Sequence, residues 1–113
     1  MIERTEHRRR GVWNSLDPER RDGLGQVFTP ARVGDFLASL LDLPTHGEFT
    51  VLDPGAGTGS LSASVVAKAM RERPGLRLHL VSFEMDENLL SPLEETMDDC
   101  RVSAAQMGVE VTY

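Results

Sequence analysis

Leu52-Asp53-Pro54-Gly55-Ala56-Gly57-Thr58-Gly59-Ser60-Leu61 is the stretch whose reading decides the fold. An apolar run ending in Val51-Leu52 leads into it, and a helical pattern begins near Ser60. Glycines at every second position make a turn that residues with a Cβ would obstruct. A strand, a glycine turn and a helix N-terminus in that order bring bare backbone up to one ligand, usually a nucleotide. The spacing is G-x-G-x-G, not the G-x-G-x-x-G of dinucleotide-binding folds, and no Gly-Lys-Ser/Thr follows, which argues against a triphosphate loop. Asp53, at the end of the strand, repels phosphate but accepts a bond from an ammonium. The turn therefore points to a cationic ligand without phosphate.

Working outward, Phe49 to Leu52 reads as a short buried strand, and the helix after the glycines presents Leu61, Val65 and Ala69 on one face. Arg71-Glu72-Arg73-Pro74-Gly75 closes that helix with basic residues in its last turn and Pro-Gly beyond. Leu76 to Phe83 is a second strand. Its near-continuous apolar run, broken by His79 and Ser82, is the pattern of a strand covered on both faces. His79 reads as a packed or hydrogen-bonded strand residue. Glu84 stands at the C-terminal tip of this strand, beside the glycine turn, where a carboxylate can accept both hydroxyls of a ribose. Met85 next to it would pack on an adenine face or fill core.

A long acidic helix follows. Its best start is the capping box Ser91-Pro92-Leu93-Glu94, with an earlier turn from Asp86 as the alternative. Leu89, Leu90, Leu93, Met97, Cys100 and Ala104 form its apolar side, Gly108 ends it, and Val109 to Tyr113 alternates like a third strand. Before the glycine turn lies Gly25-Gln26-Val27-Phe28-Thr29-Pro30. Thr29 suits an N-cap and Pro30 the first helical position. Val33, Phe36, Leu37, Leu40 and Leu41 then recur on one helix face up to Leu43-Pro44. Residues 1–24 read as a basic N-terminal arm, poorly ordered or a short helix, anchored by Val12, Trp13 and Leu16. Residues 25–113 have the order helix-β-α-β-α-β, half of a doubly wound α/β domain with a three-stranded parallel sheet, incomplete.

Composition bounds the partners. The 113 residues carry a net charge of −6 and are 40% hydrophobic, enough for one small domain with a real core. Met1 to Arg32 holds seven Lys/Arg against five Asp/Glu, whereas Glu84 to Asp99 holds seven acids and no base. Phosphate neutralisation needs clustered cations, and only Arg8-Arg9-Arg10, with Arg20-Arg21 beyond, offers them; otherwise these residues are a solvated arm. No apolar run approaches the roughly 20 residues that span a bilayer. The polar N-terminus lacks the apolar segment of a secretory signal, and the single cysteine, Cys100, excludes an internal disulfide. A cytoplasmic protein without a membrane partner is expected. No metal-ligand set is read.

Gly25 to Pro30, Leu52 to Leu61 and Phe83-Glu84-Met85-Asp86, in that order, resemble the first three motifs of N6-adenine-specific DNA methyltransferases of the restriction–modification type. These are class I S-adenosylmethionine-dependent methyltransferases with a Rossmann-like domain, and the resemblance covers the chain from Gly25 onward. It implies S-adenosylmethionine as cofactor and DNA as the partner of the full-length parent. Phe28 and Thr29 would wall the methionine end of the cofactor, with Pro30 starting the helix behind them. Asp53, Gly55, Ala56 and Gly57 would hold its amino-acid part and sulfonium region. Glu84 would bind the ribose hydroxyls and Met85 would border the adenine.

One departure stands out. The family's Asn/Asp-Pro-Pro-Tyr/Phe motif, which holds a flipped adenine, is absent from the 113 residues. Pro74 and Pro92, the prolines beyond the glycine motif, are isolated helix-boundary residues. The sequence therefore names no catalytic residue, and the chain is expected to be the cofactor-binding N-terminal part of the enzyme, inactive alone. The alternatives are a stand-alone S-adenosylmethionine-binding or regulatory module and a non-functional truncated remnant. In the family the first strand pairs with the fourth, so Phe49 to Asp53 would keep an apolar edge that favours self-association or a partner supplying the missing strands.

Overall fold

The structure, a computed structural model, describes residues 1–24, 26 and 28–113, the side chain of Leu24 excepted. Gly25 and Val27, the first and third residues of the Phe-Thr-Pro motif region, lie outside the described residues. Three parallel strands form one sheet in the order β1 (Glu48–Asp53), β2 (Arg77–Ser82), β3 (Glu110–Thr112). Helix α4 (Ser60–Glu72) connects β1 to β2. A 3-10 turn (Glu87–Leu89) running into α5 (Leu90–Gln106) connects β2 to β3. The chain is thus an α/β unit with an open parallel sheet. Among the described residues no helix is long and apolar enough to cross a membrane.

Register puts Phe49 beside Leu78 and Leu78 beside Val111, with Val51 beside Leu80. These side chains share the face that meets the core of α4 and α5, where Val66, Ala69, Met97, Cys100 and Ala104 are buried. The other face carries Thr50, Leu52, Arg77 and Thr112, all exposed. The expectation that β2 is covered on both faces is therefore not met. Its burial alternates with the pleat, Leu78 and Leu80 buried and Arg77 exposed, because the helices α4 and α5 pack on each other on one side.

α3 (Ala31–Ser39) differs from its sequence reading in two ways. Pro30 is its N-cap residue, with φ −63° and ψ 152°, and Thr29 makes no capping bond. The N–H of Ala31, left free by the helix start, is satisfied instead by the Glu6 carboxylate, at 3.2 Å, from a different helix. The apolar stripe is also turned outward instead of packing on the sheet: Phe36 is 62% and Leu40 67% exposed, while Gly34 and Ala38 are buried. Small residues set this orientation. A Cβ on Gly34 would lie 2.6 Å from Ser64 Oγ, so α3 crosses α4 closely only through that glycine.

The N-terminus is folded rather than a loose arm. α1 (Ile2–Ser15) and α2 (Pro18–Leu24) are both helical, and α1 lies across α4 and α5. Arg8 donates to Glu95 (3.0 Å), to Thr96 Oγ1 (2.9 Å) and to Asp99 (3.0 Å) of α5. Of the arginines read as a phosphate-binding or solvated cluster, Arg8 is thus bound to the acidic helix, while Arg9 and Arg10 hold Glu6 of α1, Arg20 bonds Asp86 and Arg21 stacks on Trp13. Short-range sequence pattern could not show the Arg8 pairing, because it joins residues nearly ninety positions apart.

α5 also begins earlier than its capping box. Asp86 caps the 3-10 turn by accepting from the Asn88 N–H at 3.1 Å, and the helix continues through Ser91-Pro92. Pro92 is tolerated in the first turn, where its missing N–H has no partner to lose.

Gly59 precedes α4 with φ +83°, a conformation that penalises any Cβ. A Cβ there would also meet Met97 Cε at 2.7 Å and Thr96 Cγ2 at 2.9 Å. Gly75 has φ +93° but open space around the same position. Gly59→Ala is expected to lose about 2–5 kcal/mol, backbone strain plus overpacking, against about 1–2 kcal/mol for Gly75→Ala from strain alone. Denaturant unfolding of both variants checks this; equal losses would contradict the packing assigned to Gly59.

Candidate functional site

The site forms where the C-terminal tips of β1 and β2 meet the start of α4. The strand ladder continues into the glycine turn through three successive bonds. Phe83 N–H donates to Asp53 O (2.9 Å), Ala56 N–H to Phe83 O (3.0 Å), and Gly57 N–H to Glu84 Oε2 (2.8 Å). Gly59 N–H closes the turn on Ala56 O at 2.8 Å. The sharp reversal requires the left-handed conformation at Gly57, φ +56°.

Glu84 does more than end a strand. Its second oxygen accepts from Asp86 N–H at 2.8 Å, so both oxygens hold backbone donors and each keeps one lone pair free. It is neither a solvated acid nor a helix cap; it braces the glycine turn. Asp53 is buried, only 8% exposed, and its Oδ2 has no partner among the described residues. Burial pushes its carboxyl above the usual range, a bond from Gly55 N–H partly offsets this, and the Glu84 charge adds to the rise. A buried carboxylate with one free oxygen is costly unless something cationic or hydrogen-bonding meets it.

Phe28, Thr29, Gly55, Ala56 and Gly57 come together in one pocket, with Thr58, Ser60 and Leu61 completing its wall. Its enclosed part is about 20 Å³, room for roughly one ordered water. Its mouth is open at Gly55, where an added Cβ would meet no atom within 4 Å. Unlike Gly57 and Gly59, Gly55 is required neither by a positive φ nor by packing. Asp53 lies in an adjoining groove with Leu37, Leu41, Leu52 and Val65, and Leu61 borders both hollows.

Two expected residues stand apart. Pro30 is exposed at the start of α3 and does not line the pocket; Met85 is 79% exposed and covers neither core nor pocket. Two others were missed. The buried Asp86 accepts from Gln26 Nε2 (2.8 Å) and from Arg20 Nη2 (3.0 Å), tying the segment before Phe28 to the end of β2. Burial alone would raise the Asp86 carboxyl, but the bonds from Gln26, Arg20 and the Asn88 N–H outweigh it and hold it below the usual range. The signal available in sequence was Gln26 itself, a polar residue beside the aromatic of the motif.

Comparison with known proteins follows the same stretches. The family model for N-6 DNA methylase matches residues 13–90, a range that includes Trp13, the glycine turn and Glu84. Type II methyltransferase M.BsuBI of Bacillus subtilis is 39% identical over 80 residues, 70% of this chain and 16% of that protein. Type II methyltransferase M.PstI of Providencia stuartii is 30% identical over 96 residues, 85% of this chain and 18% of that protein. The chain therefore spans less than one fifth of the length of the curated relatives it matches. No solved structure matches it significantly. With the family model covering well over half of the sequence, the chain belongs to the N-6 DNA methylase family.

Proposed function

We propose that this chain is the S-adenosylmethionine-binding part of an enzyme that methylates N6 of adenine in DNA, and that residues 25–113 are half of a Rossmann-like methyltransferase domain. The observation that carries this reading is the convergence of three sequence motifs on one point. Phe28 packs against Gly57, and Gly57 N–H bonds Glu84 at 2.8 Å.

The chemistry of the donors supports the ligand. Asp53 offers a free buried oxygen to an α-ammonium, Glu84 keeps two lone pairs for ribose hydroxyls, and the mouth at Gly55 lets a nucleoside-sized molecule lie close to backbone. Phe28 and Thr29 wall the methionine end, with Pro30 starting the helix behind them. Gly55, Ala56 and Gly57 approach the sulfonium region, and Met85, exposed beside Glu84, borders the adenine. Bound S-adenosylmethionine supplies a methyl group on a positively charged sulfur. The residues of this chain bind and orient it, so their contribution to the transfer is proximity and alignment. No residue here is assigned to hold the flipped adenine, and the 113 residues alone are expected to transfer no methyl to DNA.

Calorimetry tests the ligand. The polypeptide should bind S-adenosylmethionine in the micromolar range and not bind a nicotinamide dinucleotide, whose pyrophosphate Asp53 repels. Gly55→Leu places its Cβ in open space at the mouth, with no atom within 4 Å, so stability should change by less than about 0.5 kcal/mol while affinity falls at least about tenfold. Unchanged affinity in this variant, or none in the parent, contradicts the assignment, as does adenine methylation by the purified 113 residues.

The open edge of β1 carries a second expectation. Leu52 is 62% exposed beside the outward stripe of α3, and the groove between them is lined by Leu37, Leu41, Leu61 and Val65. An unpaired edge beside an apolar patch favours association. The polypeptide is expected to self-associate through this face. Sedimentation velocity should show mass rising with concentration, and a monomer at every concentration would refute it.

A further inference from the structure

The segment that carries Phe28 is held at both ends by carboxylates from other parts of the chain. On one side, Asp86, with its side chain fully buried, accepts from Gln26 at 2.8 Å and from Arg20 of α2 at 3.0 Å. On the other, Glu6 of α1 accepts from the Ala31 N–H at 3.2 Å. Glu6 is itself held by Arg9 (2.7 and 2.9 Å) and Arg10 (2.9 Å), and these partners lower its carboxyl to about 2. It therefore stays ionised across the working pH range, as a cap for a helix N-terminus should.

Between these ends the Phe28 ring is pressed from two directions. Trp13 of α1 meets it edge-on, centroids 5.3 Å apart at 64°, and Arg21 stacks over the Trp13 ring at 4.2 Å. Phe28 also faces Gly57, where an added Cβ would lie 3.6 Å from its Cδ1. α1 is in turn fixed to α5 by Arg8. The contacts from Glu6, Trp13 and Arg20 link the pocket wall and the segment beside it to α1 and α2, which contribute no lining residue to the pocket.

We infer that Glu6 and Asp86 are positioning residues that hold Gln26 and Ala31, and through them seat Phe28 against the glycine turn, so that α1 and α2 are a working part of the ligand site. The ligand half of this inference rests on the S-adenosylmethionine reading above; the seating of Phe28 does not. A wall seated before the ligand arrives removes an ordering cost from binding. Release of either end returns that cost, and the ring leaves Trp13.

Trp13 is the sole tryptophan and reports the seating directly. The test compares Gln26→Ala and Glu6→Gln with the parent, using Arg101→Ala, which breaks a surface pair with Asp98, as control. Far-ultraviolet circular dichroism confirms that helix content is kept. Near-ultraviolet dichroism and acrylamide quenching of Trp13 are read without ligand, and S-adenosylmethionine affinity is read well below the melting range. Gln26→Ala is expected to lose most of the Trp13 near-ultraviolet signal and to bind about tenfold more weakly, the loss of a preorganised wall. Glu6→Gln should move both readouts in the same direction by about threefold, since a neutral amide still accepts from Ala31. A purely structural role would lower the melting temperature and leave affinity and the Trp13 signature of the folded protein unchanged. That result overturns the inference. If the parent binds no cofactor, the ligand assignment fails separately, and an unchanged Trp13 signal in both variants still refutes the seating while its loss supports it. If Gln26→Ala does not fold, Glu6→Gln decides alone.

Discussion

A hydrogen bond of 2.8 Å from Gly57 N–H to the Glu84 carboxylate is the contact on which the rest of this molecule depends. It joins the turn after β1 to the tip of β2, and it does so with an ionised acceptor, which makes it stronger than a neutral bond of the same length. The ladder bonds at Asp53, Phe83 and Ala56 bring the two chains side by side up to that point. Beyond it, α4 departs from Gly59, and Gly59 fits only because α5 leaves room for backbone and nothing larger. Remove the carboxylate, and the Gly57 N–H loses the partner that ties the turn to the tip of β2.

The pattern of the chain made much of this legible. The strand before the glycines, the helix after them, the second strand with its acid and the closing strand after Gly108 all arise from local signals: apolar runs, alternation, and glycine or proline at the boundaries. These elements stand where the periodicity puts them because each is built from contacts that local sequence specifies. What failed were statements about faces and partners. The outward turn of α3 depends on Gly34 meeting Ser64, and the trans cap on Ala31 depends on Glu6 twenty-five residues earlier. No periodicity encodes either. The open face of β2 was misread for the same reason, since an apolar run does not reveal how many layers lie against it.

Charge was the least legible property. The sequence shows a basic N-terminal segment and an acidic helix far apart, and each suggests a solvated surface. Folding brings them together: Arg4 and Arg8 meet Asp99 and Glu95, and Arg20 meets Asp86. Exposed pairs such as Arg4–Asp99 are screened by solvent and contribute little. The pairing of Arg20 and Gln26 with a fully buried Asp86 matters more, because an unpaired buried carboxylate there would be strongly unfavourable. The charge asymmetry is thus a record of internal docking. It carries the N-terminal helices onto the domain and leaves Trp13 against Phe28, next to the site the family motifs build.

S-adenosylmethionine is proposed to bind these motifs at the tips of β1 and β2. The most direct test is a titration of the ¹⁵N-labelled polypeptide with S-adenosylmethionine, followed by backbone amide shifts. The account predicts the largest changes at the amides of Gly55, Ala56, Gly57, Glu84 and Phe28, with Glu110 to Thr112 of β3 unmoved. Saturating ligand without shifts at the glycine turn, or shifts confined to α1 and α5, would contradict it.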